Sequence, residues 1–159
     1  MNAYRTCAAA VGVVERPRRR IDILGTRPRE DTMEEFKGKV AVISGAASGI
    51  GRGIAERCVS EGMKVVFADI DEAGLIKAET ELKTAGGTVL GVRTDVSRRS
   101  DVERLARKAL DALGKVHLLF NNAGVAAGGA PWEATWNDWE WVIGVNLWGV
   151  IHGVKGSRR

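Results

Sequence analysis

This 159-residue chain is poor in the residues that make staples and metal cages. Its two cysteines, Cys7 and Cys58, cannot form a disulfide framework, and its two histidines, His117 and His152, complete no metal-ligand spacing. No metal site is assigned, and the sparse thiols fit a reducing cytoplasm. The longest apolar runs are a handful of residues, far below the roughly 20 that span a bilayer, so no membrane segment is expected. Tyrosine occurs once, as Tyr4, and proline only three times. What is abundant is the composition of a globular domain, 45% hydrophobic with a mean hydropathy of −0.11.

The net charge of +4 is unevenly placed. Residues 1–32 hold seven arginines against four acids, leaving 17 basic and 16 acidic residues from Met33 onward. The nearly neutral remainder gives no basic face for nucleic acid, and the one cluster, Arg16 to Arg20, lies where folding signals are absent. Residues 1–32 are read as a disordered, Arg-rich extension or the product of an upstream start. A mitochondrial presequence fits less well, because the segment has no serine and contains Glu15 and Asp22.

From Met33 short apolar runs alternate with helical periodicity, the pattern of successive βα units on a parallel sheet. Strands are expected at 39–44, 64–69, 88–94 and 116–121, the first a continuous β-branched run that reads as buried on both faces. Helices are expected at 49–61, with Ile50, Ile54 and Cys58 toward the sheet, at 72–85, with Leu75, Ala78, Leu82 and Ala85 buried, and at about 100–113. Ser100 and Glu103 have capping-box spacing for the third helix. A last helical stretch runs from about Thr135 toward Lys155 with a break near Asn146. It carries a tryptophan-rich surface, all five falling between Trp132 and Trp148, whose expected role is packing or subunit contact.

The chemistry sits at the ends of the strands. Ser44 to Gly51 reads SGAASGIG, so Gly45, Gly49 and Gly51 form a G-x-x-x-G-x-G turn between a strand and a helix. Such a turn lets a pyrophosphate approach the backbone and meet the N–H groups and dipole of the helix N-terminus. Asp69 ends the second strand 24 residues after Gly45, where its carboxylate can accept hydrogen bonds from ribose hydroxyls. Asp95-Val96 ends the third strand, and Asn121-Asn122-Ala123-Gly124 the fourth. Val145-Asn146-Leu147 follows, its asparagine 24 residues beyond Asn122.

These five ordered elements, across roughly Phe36 to Lys155, resemble the short-chain dehydrogenase/reductase family. The resemblance implies a Rossmann-like doubly wound parallel α/β sheet and NAD(P)-dependent hydride transfer between nicotinamide and the carbinol carbon of a small alcohol or ketone. It implies a cofactor cradle of Gly45, Ser48, Gly49, Ile50 and Gly51. Asp69 and Ile70 would meet the adenosine ribose, and Asp95 and Val96 the adenine. Asn122, Ala123 and Gly124 would line the second ribose while Asn121 braces the sheet. Asn146, the one catalytic position assigned, would kink its helix and hold a water of the proton relay. NAD is favoured over NADP, since a 2′-phosphate would meet the Asp69 carboxylate, with Ser48 and Ile70 where NADP users often place basic residues. Ser44 replaces the family's usual threonine but keeps a hydroxyl, whose structural hydrogen bond is expected to survive.

One departure matters. The family's proton donor is the tyrosine of Tyr-x-x-x-Lys, whereas Tyr4 lies upstream of the glycine turn and is followed four positions later by Ala8. Neither His117 nor His152 is assigned as a replacement. The expectation is therefore a cofactor-binding half with about four strands in spatial order 3-2-1-4, truncated beyond the last helix and inactive alone. Its fourth strand would present a bare edge, and the family's homo-oligomers are not carried over to it. Two other readings stay open, a non-catalytic NAD-binding interaction module and an unstable gene fragment.

Overall fold

The computed structural model describes residues 35–157, and the backbone of 10–13. Five strands form one sheet: β1 (Ala10–Val13), β2 (Val40–Ser44), β3 (Lys64–Asp69), β4 (Val89–Arg93) and β5 (Leu118–Asn121). Their spatial order is β1-β5-β2-β3-β4. β2 to β5 are mutually parallel, in the 3-2-1-4 arrangement expected of the four sequence-legible strands. Parallel neighbours need crossovers, and the helices α1 (Gly49–Ser60), α2 (Glu72–Thr84) and α3 (Arg99–Leu113) supply them. β1 is the surprise. It lies inside the stretch read as disordered and pairs antiparallel with β5, from Ala10 opposite Asn121 to Val13 opposite Leu118. The edge expected to be bare is therefore covered. The proposed boundary near Met33 falls outside the described residues.

The central strands are buried on both faces because helices cover both. Ala41, Ile43, Val65 and Phe67 pack under α1 and α2, whereas Val42, Val66, Ala68 and Leu119 pack under Leu105 and Ala109 of α3. Cys58 is buried in the first of these cores, and burial pushes its thiol up from the ordinary value, so it behaves as a small apolar side chain. Of the stripe expected to face the sheet from α1, Cys58 is buried and Ile54 packs partly buried against the core, but Ile50 does not. Gly51, Ala55 and Cys58 are buried, while Ile50 is 56% exposed. Ile50 and Ile54 also line, with Phe36, Leu118 and Phe120, an apolar groove of about 570 Å³ beside β5. The periodicity was real, but a glycine that admits the closest backbone approach decides which side of the helix meets the sheet.

The start of α3 also differs from expectation. Its N-cap is Arg98, and the approach is organised by Asp95, whose Oδ1 accepts from Ser97 N (3.0 Å) and Ser97 Oγ (2.6 Å). Asp101 in the first turn accepts the backbone N–H of Asp95 at 3.0 Å and pairs with Arg104 at 3.0 Å. That backbone hydrogen bond, with Arg104 and Arg98 nearby, holds the Asp101 carboxyl below its usual value. A depressed folded-state pKa contributes stability above the ordinary carboxylate value of about 3.9, and this is lost as pH falls through the lower folded value. Asp101→Asn is thus expected to cost about 1–2 kcal/mol at neutral pH, a charge-assisted hydrogen bond's worth, with the gap to the unaltered chain closing as pH falls below the ordinary carboxylate value. Urea titrations at several pH values check this; a gap independent of pH would contradict it.

Beyond β5 a 3-10 turn (Pro131–Glu133) leads to α4 (Trp136–Ile143), one π-helical turn (Gly144–Trp148) and α5 (Gly149–Gly156). Thr135 and Asp138 cap α4 reciprocally, and the π turn is the break expected near Asn146. Trp132 belongs to the 3-10 turn, and Trp136, Trp139 and Trp141 to α4. All five tryptophans are exposed, Trp132 and Trp136 by more than 80%. Among the described residues no helix is long and apolar enough to cross a membrane, and no cluster of His, Cys, Asp or Glu could hold a metal.

Candidate cofactor site

The carboxyl rim of β2, β3 and β5 brings the separated motifs together. Three glycines make the turn after β2 possible, for different reasons. Gly45 sits at φ +66°, and a Cβ there would lie 2.8 Å from Ala123 Cα. Gly49, first residue of α1, sits at φ +58° with open space where its Cβ would be. Gly51 is constrained by contact, since a Cβ would overlap the Gly45 carbonyl and approach Asn122 Nδ2 to 2.5 Å. Ser48, Gly49 and Ile50 are exposed at the helix N-terminus, so the cradle opens outward.

Asp69 closes the next side. Its Oδ2 accepts from Ala47 N in the glycine turn at 3.0 Å, and its Oδ1 accepts from Asp71 N at 3.1 Å. The carboxylate is therefore fixed by the cradle it borders. Ile70, beside it, is 58% exposed and apolar. Asp95 and Val96 follow β4, on the side of the rim toward α3 and α5. The Asp95 carboxylate serves the α3 approach and pairs with Arg98 at 3.2 Å. The Val96 carbonyl meets His152 Nδ1 at 3.0 Å, and the His152 ring stacks on Trp148.

Ser44 joins the turn to β5. Its hydroxyl donates to Phe120 O (3.3 Å) and accepts from the backbone N–H groups of Asn122 (3.0 Å) and Ala123 (3.1 Å). The hydroxyl expected to be structural has three partners. Asn122 Nδ2 donates back to Ser44 O (2.9 Å) and Gly45 O (3.1 Å). The bracing expected of Asn121 is thus done by Asn122, whose buried side chain is committed to the turn. Asn121 instead meets α5, where a Cβ on Gly153 would overlap its side-chain amide. Ala123 and Gly124 run past this brace toward the rim, Gly124 exposed.

The brace can be tested directly. Ser44→Ala removes the side-chain acceptor shared by the inward N–H groups of Asn122 and Ala123 and is expected to cost about 2–4 kcal/mol, at 1–3 for each hydrogen bond lost partly relieved by relaxation. Ser44→Thr keeps the hydroxyl and should stay within about 1 kcal/mol of the unaltered chain. Equal midpoints for both variants in denaturant would contradict the brace.

Asn146, in the π turn, holds the loop after β5. Its Oδ1 accepts from Val125 N (2.9 Å) and its Nδ2 donates to Val125 O (2.8 Å), a reciprocal pair with one residue's backbone. His117 is at the opposite, amino end of β5, where its Nδ1 accepts from Val40 N at 3.0 Å. It holds strands in register, away from the cradle. Sequence reasoning missed four participants: the Ala47 N–H, the His152 contact to Val96, Gly149, where a Cβ would lie 2.9 Å from Val96 Cγ2, and Gly153 against Asn121. The two glycines were legible, because small residues at i and i+4 mark a helix face that another backbone approaches.

The profile of the short chain dehydrogenase family matches residues 39–157, which carry the cradle, Asp69, the brace and the π turn; the chain belongs to that family. A short-chain dehydrogenase/reductase from Burkholderia phymatum, solved in complex with NAD, is 60% identical with a TM-score of 0.77 over 78% of this chain and 44% of that one. The 3-ketoacyl-(acyl-carrier-protein) reductase of Brucella melitensis, complexed with NADH, is 36% identical with a TM-score of 0.71, covering 76% of this chain and 49% of its own. Among curated proteins, the CLA biosynthesis dehydrogenase/reductase of Lactiplantibacillus plantarum is 40% identical over 77% of this chain and 43% of its own length. The chain thus spans less than half the length of these relatives.

Proposed function

We propose that this chain binds NAD at the carboxyl rim of its sheet, as the cofactor half of an oxidoreductase acting on a small alcohol or ketone. The observation that carries the reading is the convergence of Gly45, Gly49 and Gly51 with the Asp69 carboxylate, tied to the turn through Ala47 at 3.0 Å. The fit to a dinucleotide rests on the same feature. Open space before Gly49 and the exposed first turn of α1 leave room for a pyrophosphate against helix N–H groups.

Bound NAD would supply hydride acceptance and donation. This chain's own residues would hold it: the turn at 45–51 the phosphates, Asp69 the adenosine ribose hydroxyls, Val96 the adenine, and Ala123 and Gly124 the second ribose. Asp69 and the apolar Ile70 favour NAD, since a 2′-phosphate would face a carboxylate fixed in place. Asn146 would order the loop at Val125 that borders the nicotinamide end. Proton transfer to a carbonyl oxygen needs a positioned acid. The described rim offers no tyrosine, so the chain alone is proposed to bind without turnover.

Isothermal titration with NAD and NADP, alongside an NAD-linked assay on a panel of secondary alcohols, tests this. NAD binding at least tenfold tighter than NADP, with no measurable rate, is the expected result. Turnover by the purified chain would refute the inactive half, and equal affinities would refute the role of Asp69. The exposed tryptophans of α4 and the π turn favour a second reading, in which the NAD-bound chain is an interaction module.

A further inference from the structure

The stretch between β4 and α3 is tied down by its own groups, with one exception. Asp95 N donates to Asp101 Oδ2, Ser97 N to Asp95 Oδ1 and Arg98 N to Asp95 O, each at 3.0 Å. The Asp95 carboxylate is committed to this stretch as well, through Ser97 and Arg98. The Val96 N–H takes part in no hydrogen bond among the described residues, and Val96 is only half-buried. Backbone donors are paired in folded chains with few exceptions, so this one is open to water or a ligand. It is the donor that the stretch has left to offer.

The π turn and α5 fix Val96 from outside. A Cβ on Gly149 would lie 2.9 Å from Val96 Cγ2, and one on Gly144 would lie 3.4 Å from Ser97 Cβ, so the helix backbone itself packs on the stretch. Further along α5, His152 Nδ1 lies 3.0 Å from Val96 O. A carbonyl oxygen only accepts, so this bond requires the ring proton on Nδ1. The imidazole is in turn stacked on Trp148, with 6.0 Å between ring centroids and 28° between planes. The peptide joining Val96 to Ser97 is thus pinned at its carbonyl by His152 and at its N–H by Asp95. With that plane fixed and the Val96 side chain against Gly149, the direction of the Val96 N–H is set. We propose that His152 is a positioning residue for the base of the dinucleotide: by holding the Val96 carbonyl it aims the Val96 N–H at a ring-nitrogen acceptor of the adenine. The inference rests on the reading that the rim binds NAD with its base at Val96. It adds that the base subsite is shaped from α5, the helix that continues the π turn of Asn146.

His152→Phe removes the donor and keeps a ring for Trp148, whereas His152→Asn places an amide N–H close to where Nδ1 stood. Both are made in the full chain and titrated, amide by amide, with AMP, which carries the base, and with inorganic pyrophosphate, which does not. His152→Phe is expected to weaken AMP about five- to tenfold, a hydrogen bond's worth, while pyrophosphate affinity read at residues 45–51 stays unchanged. His152→Asn should return AMP affinity to within about twofold of the unaltered chain. AMP affinity unchanged in His152→Phe, equal losses for AMP and pyrophosphate, or no recovery in His152→Asn would each overturn the proposal and leave the NAD reading standing. Absence of AMP binding by the unaltered chain would overturn both.

Discussion

Gly51→Ala is expected to abolish measurable NAD binding, lowering affinity by about 100-fold or more, and to destabilise the chain by about 3 kcal/mol, the upper end of overpacking costs. One methyl group does this because of what faces it. The added Cβ would overlap the Gly45 carbonyl and come 2.5 Å from Asn122 Nδ2. Both are backbone or braced groups, so neither can swing away as a long side chain would. To relieve the clash α1 must move off β2, which separates the turn at 45–51 from Asn122 and the rim it shapes. Gly53→Ala is the control, because nothing lies within 4 Å of a Cβ at that position. It should bind NAD normally and gain slightly in stability from helix propensity. Thermal unfolding and titration calorimetry on the pair decide the matter. Similar behaviour of the two variants would mean that close approach at Gly51 is not what shapes the cradle.

The second large effect is expected from Asp69→Ala. Two backbone donors, Ala47 N at 3.0 Å and Asp71 N at 3.1 Å, lose their shared acceptor, and the proposed ribose contacts go with it. Hydrogen bonds to a charged group are worth about 1.5–3 kcal/mol, so NAD affinity should fall by about 10- to 100-fold. NADP affinity should fall less, because removing the carboxylate also removes its repulsion of a 2′-phosphate, and the preference between the two should narrow. Asp69→Asn retains an acceptor for Ala47 N while losing the charge, and so separates the two contributions. A proportional loss for NAD and NADP in Asp69→Ala would show that Asp69 only supports the turn.

How far the sequence could be read follows from which interactions are local. The β2-to-β5 core was legible because burial on both faces leaves continuous β-branched runs, as in Val40–Ser44, and β3 fell at 64–69 as expected. The glycine turn, Asp69 and the hydroxyl of Ser44 were legible because motif spacing encodes them. What failed was set by partners distant in the chain. Ala10–Val13 is too short to read as a strand by itself, since its pairing is with the distant β5 and β propensity is weak without a neighbour. The buried face of α1 was chosen by the backbone approach at Gly51, which turns Ile50 out to solvent. That Asn122 rather than Asn121 braces the turn depends on which one points toward β2, and a run of two asparagines does not announce that. The Ser100 and Glu103 pattern lost to Asp95 and Asp101, which organise the start of α3 between them. Ion pairs at i, i+4 such as Arg57 with Glu61 decide nothing about the rim.

The most direct test of the central claim is a titration of the 15N-labelled full chain with NAD, followed amide by amide. The account predicts that shifts concentrate at residues 45–51, at 69–70, at 95–96 and at 122–124, while 89–93 and 102–113 stay still. Saturable shifts confined to the tryptophan face of α4, or none at the glycine turn at concentrations that saturate the protein, would contradict it.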